Sequence, residues 1–230
     1  MTAFALRSWH KLWEALHTGA KFHGLEPLYR RLFTRLTRLV FRPRYYGFEN
    51  IPANGPVILA CNHVSYLDGL IIAAGCPHRP LRYIIDGDIY RLPIVHYFMT
   101  LAKAIPILPR RDSVGQALDE ISLGLRSGDA ICIFPEGQLT FTGSLGRFKP
   151  GIEYILRRDQ VPVIPIAING LWGSVFSRKY HKSRFPYLPR FRSREITAIC
   201  GKPIPPEQVT INALQQAVLR LKYSHPYIEP

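Results

Sequence analysis

Short apolar runs that end abruptly in polar residues constrain this chain more than any other feature. The runs over 57–61, 82–85, 104–108, 130–134 and 161–168 are brief and mostly rich in β-branched residues, and they read as buried strands. Segments of helical periodicity lie between them: 67–74, stopped by Gly75 and Pro77; 89–102, punctuated by Pro93; and 113–126, with Ser113 as N-cap and Gly128 as stop. A further helix starts near Pro150-Gly151 and ends before Asp159. A strand over 195–200 and a helix over 210–223 close the chain. Strands alternating with helices of this length predict an α/β fold with a single mixed sheet layered by helices. The prolines Pro162 and Pro165 within 161–168 predict a strand at a sheet edge, or one with an irregular start.

Ahead of this pattern, 3–20 and 25–40 read as two amphipathic helices separated by Gly24. The second carries the stripe Leu25, Leu28, Leu32, Phe33, Leu36, Leu39 and Val40, with Arg30, Arg31, Arg35 and Arg38 around it. The organisation expected is an amphipathic membrane-contact segment over 1–42 and an α/β domain over 43–230. Basic helices with apolar stripes suit the surface of an anionic bilayer. The alternative is that both cover the core and leave their arginines in water.

Charge supports an anionic partner: 30 Lys plus Arg stand against 16 Asp plus Glu, a net charge of +14 over 230 residues. Nucleic acid, lipid headgroups and an acidic carrier protein all answer to that field. No nucleic-acid motif is present. No stretch approaches the roughly 18–20 apolar residues of a membrane span, and the N-terminus lacks a signal-peptide pattern. Cys61, Cys76, Cys132 and Cys200 are isolated, mostly in apolar runs, and read as small buried hydrophobes in a reducing compartment.

Three polar clusters follow strands: Asn62-His63 with Asp68 five residues after the histidine, Arg110-Arg111, and Glu136-Gly137 with Arg147 and Lys149 nearby. In α/β sheets chemistry gathers at strand ends. A carboxylate one turn beyond a strand-end histidine fixes the imidazole tautomer and leaves the other ring nitrogen for substrate. The plainer reading of the same spacing is a loop histidine followed by a helix-capping aspartate. The sequence contains no Gly-x-Ser-x-Gly elbow, no cysteine beside a base and no metal-ligand spacing. A histidine base without a protein nucleophile implies a nucleophile on the substrate, such as a hydroxyl, with cations holding an anionic group.

These residues resemble the glycerophospholipid acyltransferases related to 1-acylglycerol-3-phosphate acyltransferase. Asn62-His63-Val64-Ser65-Tyr66-Leu67-Asp68 resembles the first block, Asn-His-x4-Asp. Ala104-Ile105-Pro106-Ile107 with Arg110 is similar to the second, Phe134-Pro135-Glu136-Gly137 to the third, and Val161-Pro162-Val163-Ile164-Pro165 to the fourth. Gln138-Leu139-Thr140, Phe148-Lys149-Pro150-Gly151 and Leu171-Trp172-Gly173-Ser174 look closest to the acyltransferase domains fused to lipid transporters and acyl-carrier synthetases, including 2-acylglycerophosphoethanolamine acyltransferases. The resemblance implies that His63 deprotonates a lysophospholipid hydroxyl, that Asp68 orients it, and that the hydroxyl attacks an acyl thioester. Glu136, Gly137 and Arg110 would bind the glycerol-phosphate part, and an orienting role falls to Asn62.

Two departures stand out. Gln138-Leu139 replaces the Thr-Arg that often follows the third-block glycine, and Phe141 stands where the fused subgroup often has arginine. Arg111, Arg147 or Lys149 is the replacement expected for the phosphate. The expected partners are a lysophospholipid, acyl-CoA or acyl carrier protein as co-substrate, and an anionic membrane. No cofactor, metal or nucleic acid is expected, and the location implied is the cytoplasmic face of the membrane, held peripherally. The competing readings are a transacylase or thioester hydrolase using the same base, and a non-catalytic basic protein binding membrane or nucleic acid. The loop over 176–194, rich in Arg and Lys, is either a solvated basic surface or a contact with membrane or carrier protein.

Overall fold

A computed structural model describes residues 26–108, 111–174, 176–178 and 195–224. The helix expected over 3–20 and most of the basic 176–194 loop lie outside them. In chain order the elements are α1 (Glu26–Phe41), β1 (Arg44–Tyr46), β2 (Val57–Cys61), α2 (Asp68–Gly75), β3 (Leu81–Asp86), α3 (Gly87–Tyr90), α4 (Pro93–Leu101), β4 (Ile105–Ile107), α5 (Arg111–Arg126), β5 (Ala130–Ile133), α6 (Gly151–Arg158), β6 (Val163–Asn169), β7 (Thr197–Cys200) and α7 (Ile211–Tyr223). One seven-stranded sheet forms in the order β1-β7-β6-β2-β5-β3-β4. All neighbours are parallel except β6 and β7, which makes the sheet mixed.

Alternation along the central strands serves two cores. Val57, Leu59 and Cys61 of β2 join Ile71 and Ile72 of α2 on one face, while Ile58 and Ala60 join Ile152 and Leu156 of α6 and Leu214 of α7 on the other. Every residue of β2 is fully buried, as expected where helices cover both faces of a parallel sheet. The chain leaves β2 on one side to reach β3, then returns through β5 and crosses to β6 on the far side of β2. That reversal opens a crevice at the C-terminal ends of β2 and β5.

Three local expectations change. The helix expected over 89–102 is two helices, because Pro93 takes the first position of α4, where its missing N–H costs nothing. Ser113 is not a cap: α5 begins at Arg111, and Ser113 Oγ accepts the Leu108 N–H at 2.8 Å. The proline-bearing β6 lies inside the sheet, between β2 and β7. Pro162 precedes it, and Pro165 faces β7 where that strand has just ended. Gly201 N–H donates to Pro165 O, and Asn50 Nδ2 donates to the Gly201 carbonyl that the proline cannot serve.

Helix α1 turns two threonines inward in place of its leucines, with Phe33 and Phe41 partly buried beside them. Thr34 and Thr37 are buried, and Arg38 Nε donates to the Ala74 carbonyl at the end of α2. Leu28, Leu32, Leu36, Leu39 and Val40 are all more than half exposed. The leucine stripe therefore does not cover the core.

Candidate active site

Strand β2 is followed by Asn62, whose carboxamide continues the sheet after the backbone has turned away. Its Nδ2 donates to Ile168 O at 3.0 Å and its Oδ1 accepts Ile168 N–H at 2.7 Å. Asn62 is fully buried, so its polar atoms serve β6, and it positions the next residue without facing the crevice. The loop that follows is tied by Leu67 N–H donating to Ser65 Oγ and by Asp68 N–H donating to Ser65 O.

This loop folds the Asp68 carboxylate back onto His63. Asp68 Oδ2 lies 2.8 Å from His63 Nδ1 and accepts the Val64 and Ser65 N–H groups at 2.7 and 2.9 Å. The carboxylate is fully buried, whereas the His63 side chain keeps 20% of its surface exposed. Burial pushes the Asp68 carboxyl above its ordinary range, against the pull of the His63 hydrogen bond. An ionised Asp68 can only accept, so Nδ1 carries the proton and Nε2 presents a lone pair outward. Phe134, at the end of β5, stacks on the imidazole at 4.1 Å between centroids and 17° between planes, fixing the ring orientation. Asp68 Oδ1 is buried without a partner.

Glu136 comes from the end of neighbouring β5. Oε1 accepts the His63 backbone N–H and Oε2 the Gly146 N–H, both at 2.8 Å. Burial raises its carboxyl above the usual range. With 4% exposure and an amide on each oxygen, this carboxylate holds the base loop and the 138–149 loop together. Gly137 follows at φ +66°, and a Cβ there would lie 2.8 Å from Lys149 Nζ. Glycine thus lets the otherwise exposed Lys149 lie across the strand end. Arg110 lies outside the described residues, as does the side chain of Arg111, whose backbone opens α5.

The candidates His63, Asp68, Asn62, Glu136, Gly137 and Lys149 therefore converge on the ends of β2 and β5. Two further groups take roles that the sequence does not reveal. Phe134 opens the third block of the family resemblance, but nothing in its spacing predicts that it stacks on His63. Lys222 sits in the final helix, distant in sequence, yet Nζ donates to Asn169 Oδ1 at 3.3 Å at the end of β6. Burial lowers its ammonium pKa, with Glu136, Cys61 and Asp68 drawing it back up. Among the described residues, no group of three His, Cys, Asp or Glu side chains is arranged to hold a metal ion.

A base oriented by a buried carboxylate, with cations beside it, suits deprotonation of a substrate hydroxyl. The acyltransferase family model matches residues 42–169, more than half of the chain and every strand of the sheet except β7. The chain belongs to the acyltransferase family. Among its relatives, the chloroplastic 1-acyl-sn-glycerol-3-phosphate acyltransferase of Brassica napus is 28% identical over 166 residues, covering 66% of this chain and 47% of that protein. The chloroplastic enzyme of the same name in Arabidopsis thaliana is 30% identical over 128 residues, covering 54% of this chain and 35% of the relative. That of Bacillus subtilis is 24% identical over 157 residues, covering 64% and 77%. The chain thus spans about half or less of the two plant relatives' own length. The crystal structure of the 1-acyl-sn-glycerophosphate acyltransferase PlsC from Thermotoga maritima superposes with a TM-score of 0.62 at 18% identity, covering 84% of this chain and 77% of that one. This likeness establishes the shared α/β acyltransferase fold.

Proposed function

We propose that the chain transfers an acyl group from an acyl thioester to the free hydroxyl of a lysophospholipid such as 1-acylglycerol-3-phosphate. The observation that carries the reading is the 2.8 Å contact of His63 Nδ1 with the buried Asp68 carboxylate, which leaves Nε2 as the acceptor facing the crevice. Nε2 takes the proton as the hydroxyl oxygen attacks the thioester carbonyl. The tetrahedral intermediate collapses with cleavage of the C–S bond, and His63 returns the proton to the leaving thiolate. No covalent enzyme intermediate is required, and bringing thioester and alcohol together supplies a large part of the barrier reduction.

Lys149, lying over Gly137 at the strand end, is the cation assigned to the acceptor's phosphate, with Arg110 and Arg111 after β4 as further candidates. The relatives' names support 1-acylglycerol-3-phosphate as acceptor; the donor in this reading is acyl-CoA or acyl carrier protein. The outward leucine stripe of α1 among its arginines supports peripheral attachment to the cytoplasmic face of an anionic membrane. No helix among the described residues is long and apolar enough to cross a membrane.

The test is thiol release from acyl-CoA and from acyl carrier protein, with and without 1-acylglycerol-3-phosphate, using wild type and His63→Ala. Acceptor-dependent release abolished by His63→Ala is expected. Equal release without acceptor identifies a hydrolase, and wild-type rates in His63→Ala would sink the mechanism.

A further inference from the structure

We propose that the mouth of the site is itself a membrane-docking surface, in which the exposed rings of Tyr66, Phe141 and Phe176, with Arg147, Lys149 and Arg178 beside them, seat His63 at the headgroup level of an anionic bilayer. The inference rests on the reading of the site as one acting on lipid. It adds a second contact to the α1 stripe, at the catalytic end of the molecule.

The three rings are 52%, 65% and 46% exposed respectively. Backbone hydrogen bonds hang all three from the segment that carries the base. Tyr66 N–H and Ser65 Oγ both donate to Phe176 O, at 3.1 and 3.3 Å, and Thr140 N–H donates to His63 O at 2.8 Å, one residue before Phe141. Arg178 closes the group, its guanidinium carbon 4.8 Å from the centre of the Phe141 ring.

Phe141 is not exposed because its loop is loose. Thr140 Oγ1 donates to Ser144 O and accepts the Thr142 and Gly143 N–H groups. Gly143 lies so close under Trp172 that a Cβ would come within 2.5 Å of the indole. An aromatic ring held outward on a fully bonded loop is pre-organised to bind something apolar.

The charge beside it names the occupant. Arg147 and Lys149 leave the same loop, and neither they nor Arg178 has a carboxylate within ion-pairing distance among the described residues. Aromatic rings interleaved with unpaired cations match the interface of an anionic membrane, where rings settle at headgroup depth and cations meet phosphates.

The native thiols make the test clean. Cys61, Cys76, Cys132 and Cys200 are all at least 96% buried, so a cysteine introduced on the surface takes a spin label selectively. Phe141→Cys, Phe176→Cys and the distant exposed control Glu207→Cys are labelled in the full chain. Each is mixed with phosphatidylglycerol-rich or pure phosphatidylcholine vesicles.

On the anionic vesicles, labels at 141 and 176 are expected to gain access to oxygen and lose access to a water-soluble nickel complex, while the label at 207 stays in water. Replacing both rings by serine is expected to weaken vesicle partitioning about ten-fold. The proposal fails if the protein does not bind the vesicles, or if it binds while 141 and 176 remain as wet as 207. It fails equally if those labels respond to an acyl thioester or acyl carrier protein and not to vesicles. Membrane entry of both labels without acceptor-dependent thiol release would preserve this docking surface and overturn only the acyl-transfer reading.

Discussion

Glu136 Oε1 accepts the backbone N–H of His63 at 2.8 Å, joining the ends of two neighbouring strands through a contact 73 residues apart in sequence. The other oxygen holds Gly146 in the same way. This carboxylate sets where the base stands, so its removal acts on rate before affinity.

Glu136→Ala leaves two amides without acceptors at about 1–3 kcal/mol each. The expected outcome is a lower melting temperature and a fall in kcat with the acceptor KM nearly unchanged. A large rise in KM with kcat intact, measured by steady-state thiol release, would make Glu136 a substrate ligand instead.

His63→Ala should abolish turnover while calorimetry finds a folded protein with a lowered melting temperature, since the ring keeps only 20% of its surface exposed and stacks on Phe134. Asp68→Asn should retain the fold and lose about 10²–10⁴ in kcat, because an amide beside Nδ1 no longer enforces the tautomer that frees Nε2.

Acidification should separate activity from stability. Burial raises the Asp68 carboxyl above its ordinary value, and the ionised form is the stronger acceptor for the Nδ1 proton and the one that stabilises an imidazolium. The rate should therefore fall with decreasing pH at a higher pH than a solvent carboxylate would dictate, its acid limb lying above about pH 4. The stability term has the opposite sign. A raised folded pKa means that the folded chain holds a proton which the unfolded chain has released, so this contribution is greatest below the unfolded pKa and is lost as pH rises through the folded one. The melting temperature of wild type relative to Asp68→Asn should decline from pH 4 towards pH 7 as activity climbs.

The α1 stripe makes a membrane prediction that a core reading does not share. Leu32 and Leu36 are exposed, so Leu32→Gln/Leu36→Gln should leave thermal stability within about 0.5 kcal/mol. The same double variant should sediment less with anionic vesicles. A marked loss of stability with unchanged sedimentation would show that these leucines serve packing.

Much of the fold was legible because the strands are buried on both faces and so read as unbroken apolar runs, as 57–61 and 130–133 do. The His63–Asp68 pair was legible because both members lie on one local loop. The partners of Asn62 and Glu136 were not. Their side chains bond backbone groups of Ile168, His63 and Gly146, and two of these partners are 106 and 73 residues away. Such long-range bonds leave no spacing to read. The inward contacts of α1 were not legible either: its periodicity marks an apolar face, which is exposed, while Thr34 and Thr37 are the residues that are buried.

Pro165 has a consequence for how the sheet assembles. Its missing N–H is harmless only where β7 has ended and Asn50 serves the Gly201 carbonyl. Sliding β7 by two residues would keep every side chain on its own face, yet place a carbonyl from within the strand opposite the proline with no donor. A slip by one would turn the apolar side chains of β7 outward. The proline therefore acts as a register key, admitting one alignment of the antiparallel pair and penalising its nearest neighbours.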